Sequence, residues 1–137
     1  EELRLNVRHY SYAVLAFYRK KFPDALIHIS KIKSESHPIS IDIYILKLKI
    51  FYMLGHYDSA VSVADSFRHY IKSKNHMSEF HKMTHLNFVK YYKTILRLTL
   101  NPDFKKIKEL LTEIEMSINT KEKKWMKEIT AGMLSGN

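Results

Sequence analysis

The sequence predicts an all-α fold of antiparallel helical hairpins, about seven helices in 137 residues. Two observations carry this. The first is a phrase that occurs twice. Phe22-Pro23-Asp24-Ala25-Leu26 and Tyr57-Asp58-Ser59-Ala60-Val61 share one order: an aromatic, two polar or turn residues, an alanine, an aliphatic. Their alanines stand 35 residues apart. A period in the thirties that carries two helices marks a stacked hairpin array. The second observation is scarcity: three glycines and three prolines leave little material for the tight turns of a sheet.

The elements follow in order. The first helix is expected from about Leu3 to Lys20. The second begins near Pro23, because proline suits a first turn whose N–H would lack a partner anyway. It is expected to run to about Ser34. Ser36-His37-Pro38 is a break, since the residue before proline avoids the helical region.

Residues 39–50 carry a conflict. Ile39, Ile41, Ile43 and Ile45 alternate with polar residues, which read alone is a strand signal. Ile45-Leu46 breaks the alternation, and the apolar stretch continues through Phe51-Tyr52-Met53-Leu54 to Gly55, a residue suited to a helix C-terminus. The repeat register also sets this stretch where the first helix sits in the preceding unit. A third helix over 39–54 is therefore expected, with tertiary context overriding β-branched propensity.

The fourth helix runs from His56 to about Lys74, with Asn75 as a stop. The fifth begins at Ser78, a good N-cap, and continues to about Leu100. In Asn101-Pro102-Asp103 the sequence offers an N-cap, a proline at the first position and an acid favoured by the helix dipole. The sixth helix then carries Phe104, Ile107, Leu110, Leu111, Ile114 and Ile118 on one stripe. Asn119-Thr120 is expected to cap a seventh helix with Trp125, Ile129 and Met133 on one face. The connections are short, so neighbouring helices should pack antiparallel. The units fall at about 3–36, 38–75 and 78–118, with a capping helix over 120–134, in a single domain spanning 1–137.

Composition narrows the class. Hydrophobic residues make up 45% and charged residues 27%, enough for a real core at this length. No apolar run reaches the roughly 18 residues of a membrane span, and no secretory h-region is visible, so a cytoplasmic location is expected. The chain opens Glu1-Glu2 without a methionine, which reads as a piece of a longer chain. With no cysteine there is no disulfide, thiol catalysis or cysteine-ligated zinc. The formal charge of +9 invites an anionic partner. It is spread as +5 over residues 1–75 and +4 over 76–137, with no basic block.

Leu54-Gly55-His56-Tyr57-Asp58-Ser59-Ala60-Val61 resembles the turn of a tetratricopeptide repeat, in which an aromatic and a small residue lock helix A against helix B. Ala13, Phe22, Ala25 and Ile29 repeat the match in the first unit. The third unit is degenerate, because Ile107 stands where the alanine should be and lies 47 residues beyond Ala60. Leu48 and Ile95 replace small residues and should push helices apart. The order of the pieces, from the aromatic first helix through Asp65-Ser66-Phe67-Arg68 and Asn87-Phe88-Val89-Lys90 to Trp125, is also similar to the C-terminal helical region of uncharacterised bacterial proteins with such repeats. The resemblance implies a right-handed array that binds other proteins, and no activity.

The same resemblance implies a binding face made by the A helices. It would hold Tyr10, Val14, Phe17 and Tyr18 in the first unit, then Asp42, Ile45, Lys49, Tyr52 and Met53 in the second. Val89, Tyr92, Leu96 and Thr99 would follow in the third. Aromatics give large contact area at low entropic cost, so this face is expected to take a peptide or helix of a protein partner. The competing reading is that the domain's own elements fill it. The alternative function is nucleic-acid binding through dispersed cations. Lys82, Lys90, Lys93 and Arg97 share one side of the fifth helix beside Tyr91 and Tyr92, although those tyrosines fall on the opposite half.

Other patterns carry less. His81 and His85 have metal-sharing spacing, but no third ligand accompanies them, and neither metal nor cofactor is expected. Lys121, Lys123, Lys124 and Lys127 surround Trp125. They could mark a membrane-surface helix, or a cap that closes the array, which is the expectation. There is no glycine-rich phosphate loop, and no Gly-x-Ser-x-Gly, Ser-x-x-Lys or paired-acid site stands out, so the chain is read as non-catalytic.

Overall fold

A computed structural model of the chain describes residues 1–33 and 39–136. Among these residues there are seven helices and no strand: α1 (Glu2–Tyr18), α2 (Phe22–Ser30), α3 (Ser40–Leu54), α4 (Tyr57–Lys72), α5 (Glu79–Leu100), α6 (Phe104–Met116) and α7 (Lys123–Leu134). The expected break at Ser36-His37-Pro38 and the expected end of the second helix at Ser34 lie outside the described residues. The chain gathers into two compact units, Glu1–Phe67 and Arg68–Asn137, with the division falling inside α4.

In the first unit α1 packs on α2, α2 on α3, and α1 on α3. The core joins Ala13, Ala16 and Phe17 of α1, Ala25 and Ile29 of α2, and Ile43, Leu46 and Ile50 of α3. Ala13 and Ala25 are fully buried, as is Ala60 of α4. Phe67 of α4 is buried as well, and its ring stacks on Tyr44 of α3 at 5.0 Å.

Residues 39–54 resolve as helix. Apolar side chains lie on several sides of this helix and need more than one neighbour to cover them, and seven α3 residues are buried, including Ile45, Leu48 and Ile50. Gly55 closes the helix at φ +74°, the left-handed region glycine enters without steric cost. Its N–H bonds the Tyr52 carbonyl at 3.1 Å, and the His56 N–H bonds the Phe51 carbonyl at 2.9 Å. These two bonds are a Schellman motif.

The same motif ends α1. Lys20 sits at φ +59°, its N–H bonds the Phe17 carbonyl at 2.9 Å, and the Lys21 N–H bonds the Ala16 carbonyl at 2.9 Å. Lys20 and Gly55 are 35 residues apart, like Ala25 and Ala60. The repeat is thus one of backbone geometry as well as of side chains. Asn6, buried in α1, completes this unit: its amide donates to the Lys33 carbonyl at 3.0 Å and accepts from the Lys33 N–H at 3.2 Å.

In the second unit α5 packs on α6 and α7, and α6 on α7. Ser78 caps α5 as expected, accepting the His81 N–H at 3.2 Å. The next two starts differ from expectation. Asp103, not Asn101, caps α6, accepting the Lys106 N–H at 3.2 Å. Asn101 instead ends α5, with its N–H on the Arg97 carbonyl. The sixth helix stops at Met116, so Ile118 is not on its stripe and is 96% exposed. Glu122, not Asn119-Thr120, precedes α7, and it makes no side-chain cap bond. Asn119 serves another purpose, because Asn87 of α5 donates to its carbonyl at 3.1 Å and to its side-chain oxygen at 3.2 Å. Met126 and Thr130 are the buried residues of α7, while Trp125, Ile129 and Met133 are half-buried.

No helix among the described residues is long and apolar enough to cross a membrane.

Candidate functional site

In the first unit α1 and α3 carry the residues expected on the binding face. The α1 and α3 helices lie side by side, and the Lys49 ammonium sits 5.1 Å above the Phe17 ring. Lys49 and Phe17 are both buried, so the expected cation and the expected ring form a sealed pair under the face. Phe17 belongs to the core because it shares a helix side with Ala13, which packs toward α2. Above this pair the side chains open. Tyr10 and Val14 are half-buried against the core, and Tyr18 is 73% exposed, its ring edge-on to Phe17 at 5.8 Å. On α3, Asp42 and Met53 are exposed and Tyr52 is half-buried, 5.8 Å from the Tyr57 ring; Ile45 is core.

The equivalent residues of α5 behave differently. Val89, Tyr92 and Leu96 are buried, and Thr99 is half-buried with its hydroxyl donating to the Ile95 carbonyl at 2.8 Å. Tyr92 is therefore corrected from a binding residue to a core residue. The cause is α7, which brings Trp125 to stack on Tyr92 at 6.3 Å and 19°, while Phe88 flanks it at 5.7 Å. A ring fully removed from water has no surface left for a partner.

Two exposed apolar residues of α1 lie beyond the expected set. Leu3 and Val7 are 44% and 42% exposed on α1. They precede Tyr10, Val14 and Tyr18 at spacings of four and three residues, which extends the same stripe to the helix start. That spacing was the available signal.

The cations of α5 divide. Lys90 and Arg97 are exposed, and Lys82 and Lys93 are half-buried. The Lys90 ammonium lies 4.7 Å over the Tyr91 ring, which is itself buried, so that ring offers no open platform to a base. Beside Lys90 and Arg97 lies a cleft of about 680 Å³ between α5 and α6 that also holds Lys106, Asp103, Glu109 and Glu113. Carboxylates in the same cleft oppose a phosphate backbone.

On the last helix, Lys123 reaches back to the end of α6. Its ammonium donates to the Glu115 carbonyl at 2.8 Å and the Ser117 carbonyl at 2.7 Å, satisfying orphan acceptors at a helix C-terminus. The Ser117 and Thr120 hydroxyls bond each other in the same connection. His81 is exposed and His85 half-buried, and among the described residues no three His, Asp or Glu side chains gather as a metal site. Neither the known protein-family models, nor the curated proteins, nor the solved structures contain a match to this chain.

Proposed function

We propose that the chain is a non-catalytic protein–protein interaction module, a scaffold or adaptor element that binds a peptide or helix on the α1–α3 face of the first unit. The observation that supports this most is Tyr18, a large ring 73% exposed on the same side of α1 as the half-buried Tyr10 and Val14. Rings of this kind supply rigid contact area and dominate interface energetics when a partner covers them. The resemblance of Leu54–Val61 to a tetratricopeptide turn supports the same reading. The cleft that mixes Lys90, Arg97 and Lys106 with three acids weighs against nucleic acid as the partner.

A display library of peptides, selected against the whole chain, tests the proposal. Selected peptides should lose about 1–2 kcal/mol of affinity on Tyr18→Ala or Tyr52→Ala, read by fluorescence anisotropy. Lys105→Ala, on the exposed side of α6, should leave affinity unchanged. Peptides that bind but ignore both tyrosine variants would move the site off this face.

A further inference from the structure

We infer that the occupant of this face is an acidic amphipathic helix of a partner protein, lying along α1. This rests on the α1–α3 face being the binding site. The first ground is spacing. Leu3, Val7, Tyr10, Val14 and Tyr18 follow one another at four, three, four and four residues, the rhythm that packs one helix along another. From Leu3 to Tyr18 the stripe is about 22 Å long, at 1.5 Å per residue, which matches a helical segment of about four turns. An extended peptide would instead use alternate side chains at a period of two, which this stripe does not offer.

The second ground is exposure. Three large apolar side chains of the stripe, Leu3, Val7 and Tyr18, are 42–73% exposed, and Tyr10 and Val14 are half-buried between them. Isolated exposed apolar residues are ordinary, but a contiguous row on one helix marks a surface that something covers.

The third ground is charge. From Leu3 to Pro23 the chain contains no Asp or Glu, and within that stretch stand Arg4, Arg8, Arg19, Lys20 and Lys21. Arg4, Arg8 and Arg19 are exposed. At about 100° per residue, Arg4 and Arg8 stand one residue round from Leu3 and Val7 and flank the apolar stripe on one side. The chain uses lysine almost everywhere else: three of its five arginines stand in this stretch. A guanidinium presents a planar fork that a carboxylate meets with two parallel hydrogen bonds, so arginines beside an apolar stripe suit Asp and Glu beside another. A second copy of the chain fits less well. A two-fold contact lays a patch on itself, and Arg4 and Arg8 would face cations, offset only by Glu1 and Glu2.

The test uses two designed 18-residue helical peptides with the same leucine stripe, one flanked by Glu and the other by Lys. Binding to the whole chain is followed by fluorescence anisotropy. The Glu peptide should bind at least about tenfold more tightly, and its advantage should shrink as salt rises through the range where the Debye length falls below about 10 Å. The double variant Arg4→Glu/Arg8→Glu should reverse the preference, with circular dichroism showing that helix content is retained. Arg4→Gln/Arg8→Gln should abolish the preference without reversing it.

Several results would overturn the inference. Equal binding of both peptides, weakened by Tyr52→Ala, would leave the α1–α3 face as a binding site and remove the acidic partner. Binding to vesicles of phosphatidylserine and phosphatidylcholine, with neither peptide bound, would assign the stripe to a membrane surface. A concentration-dependent dimer abolished by Val7→Asp would assign it to self-association. Failure of both peptides while library-selected peptides still bind at Tyr18 would refute the helix alone.

Discussion

The shared ending of α1 and α3 makes a prediction whose sign is fixed by geometry. Lys20 and Gly55 occupy the same position of the same motif, at φ +59° and +74°. A side chain with a Cβ pays about 1–2 kcal/mol to hold the left-handed conformation. Glycine avoids that cost but gives the unfolded chain more freedom, which takes back about 0.4–1 kcal/mol. Lys20→Gly should therefore stabilise the first unit by about 0.5–1 kcal/mol. The Lys20 side chain is exposed, so little packing is lost with it. The mirror change isolates the conformational cost, because a Cβ at Gly55 would meet nothing within 4 Å. Gly55→Ala should thus destabilise by about 0.5–1 kcal/mol, the backbone strain less the same entropic offset. Urea unfolding followed at 222 nm reads both, as opposite shifts in midpoint with unchanged slope. For a unit of 67 residues, each kcal/mol is about 4–8 °C in Tm. If Lys20→Gly lowered stability, the left-handed turn would not be the shared element of the two hairpins.

The other predictions concern buried groups. Tyr92→Ala should cost about 3–5 kcal/mol, the usual range for emptying a buried aromatic site, and should red-shift the emission of Trp125, the single tryptophan, as α7 loosens. A loss under about 1 kcal/mol with unchanged emission would remove Tyr92 from the core. Asn6→Asp replaces the amide donor by a carboxylate facing the Lys33 carbonyl, and should cost about 2–3 kcal/mol in urea unfolding. An unchanged midpoint would mean that the Asn6–Lys33 bonds contribute nothing.

Much of the fold was legible because the signals were redundant. The isoleucine alternation of residues 39–45 argued for a strand, yet Gly55, the apolar stretch continuing to Leu54 and the 35-residue register all argued for a helix. Helix caps were less legible where several candidates crowd together. Asn101, Pro102 and Asp103 each suit a helix start, and only the direction of the chain leaving α5 decides that Asp103 reaches a free N–H. Asn119 looked like a cap because asparagine usually is one near a helix start. Its bond partner, Asn87, lies 32 residues away, and no local pattern announces a pair so distant. The candidate site was visible in part for a related reason. Spacing places Tyr10, Val14, Tyr18 and Tyr52 on one side of their helices, but the same spacing places Tyr92 there too. What separates them is Trp125, whose arrival over Tyr92 depends on how α7 packs.

The two asparagine pairs also bear on how the chain folds. Helix α1 reaches α2 across the three-residue connection 19–21, so that hairpin closes a short loop and can form early. The Asn6–Lys33 pair spans 27 residues and the Asn87–Asn119 pair 32. Each needs two helices and their connection already in place before its geometry exists, so each amide is a latch that closes after its hairpin has docked. Interactions absent from the transition state act on the unfolding rate. Substitutions at the asparagines should therefore act mainly on the unfolding rate, and substitutions at the alanine contacts between paired helices on the folding rate.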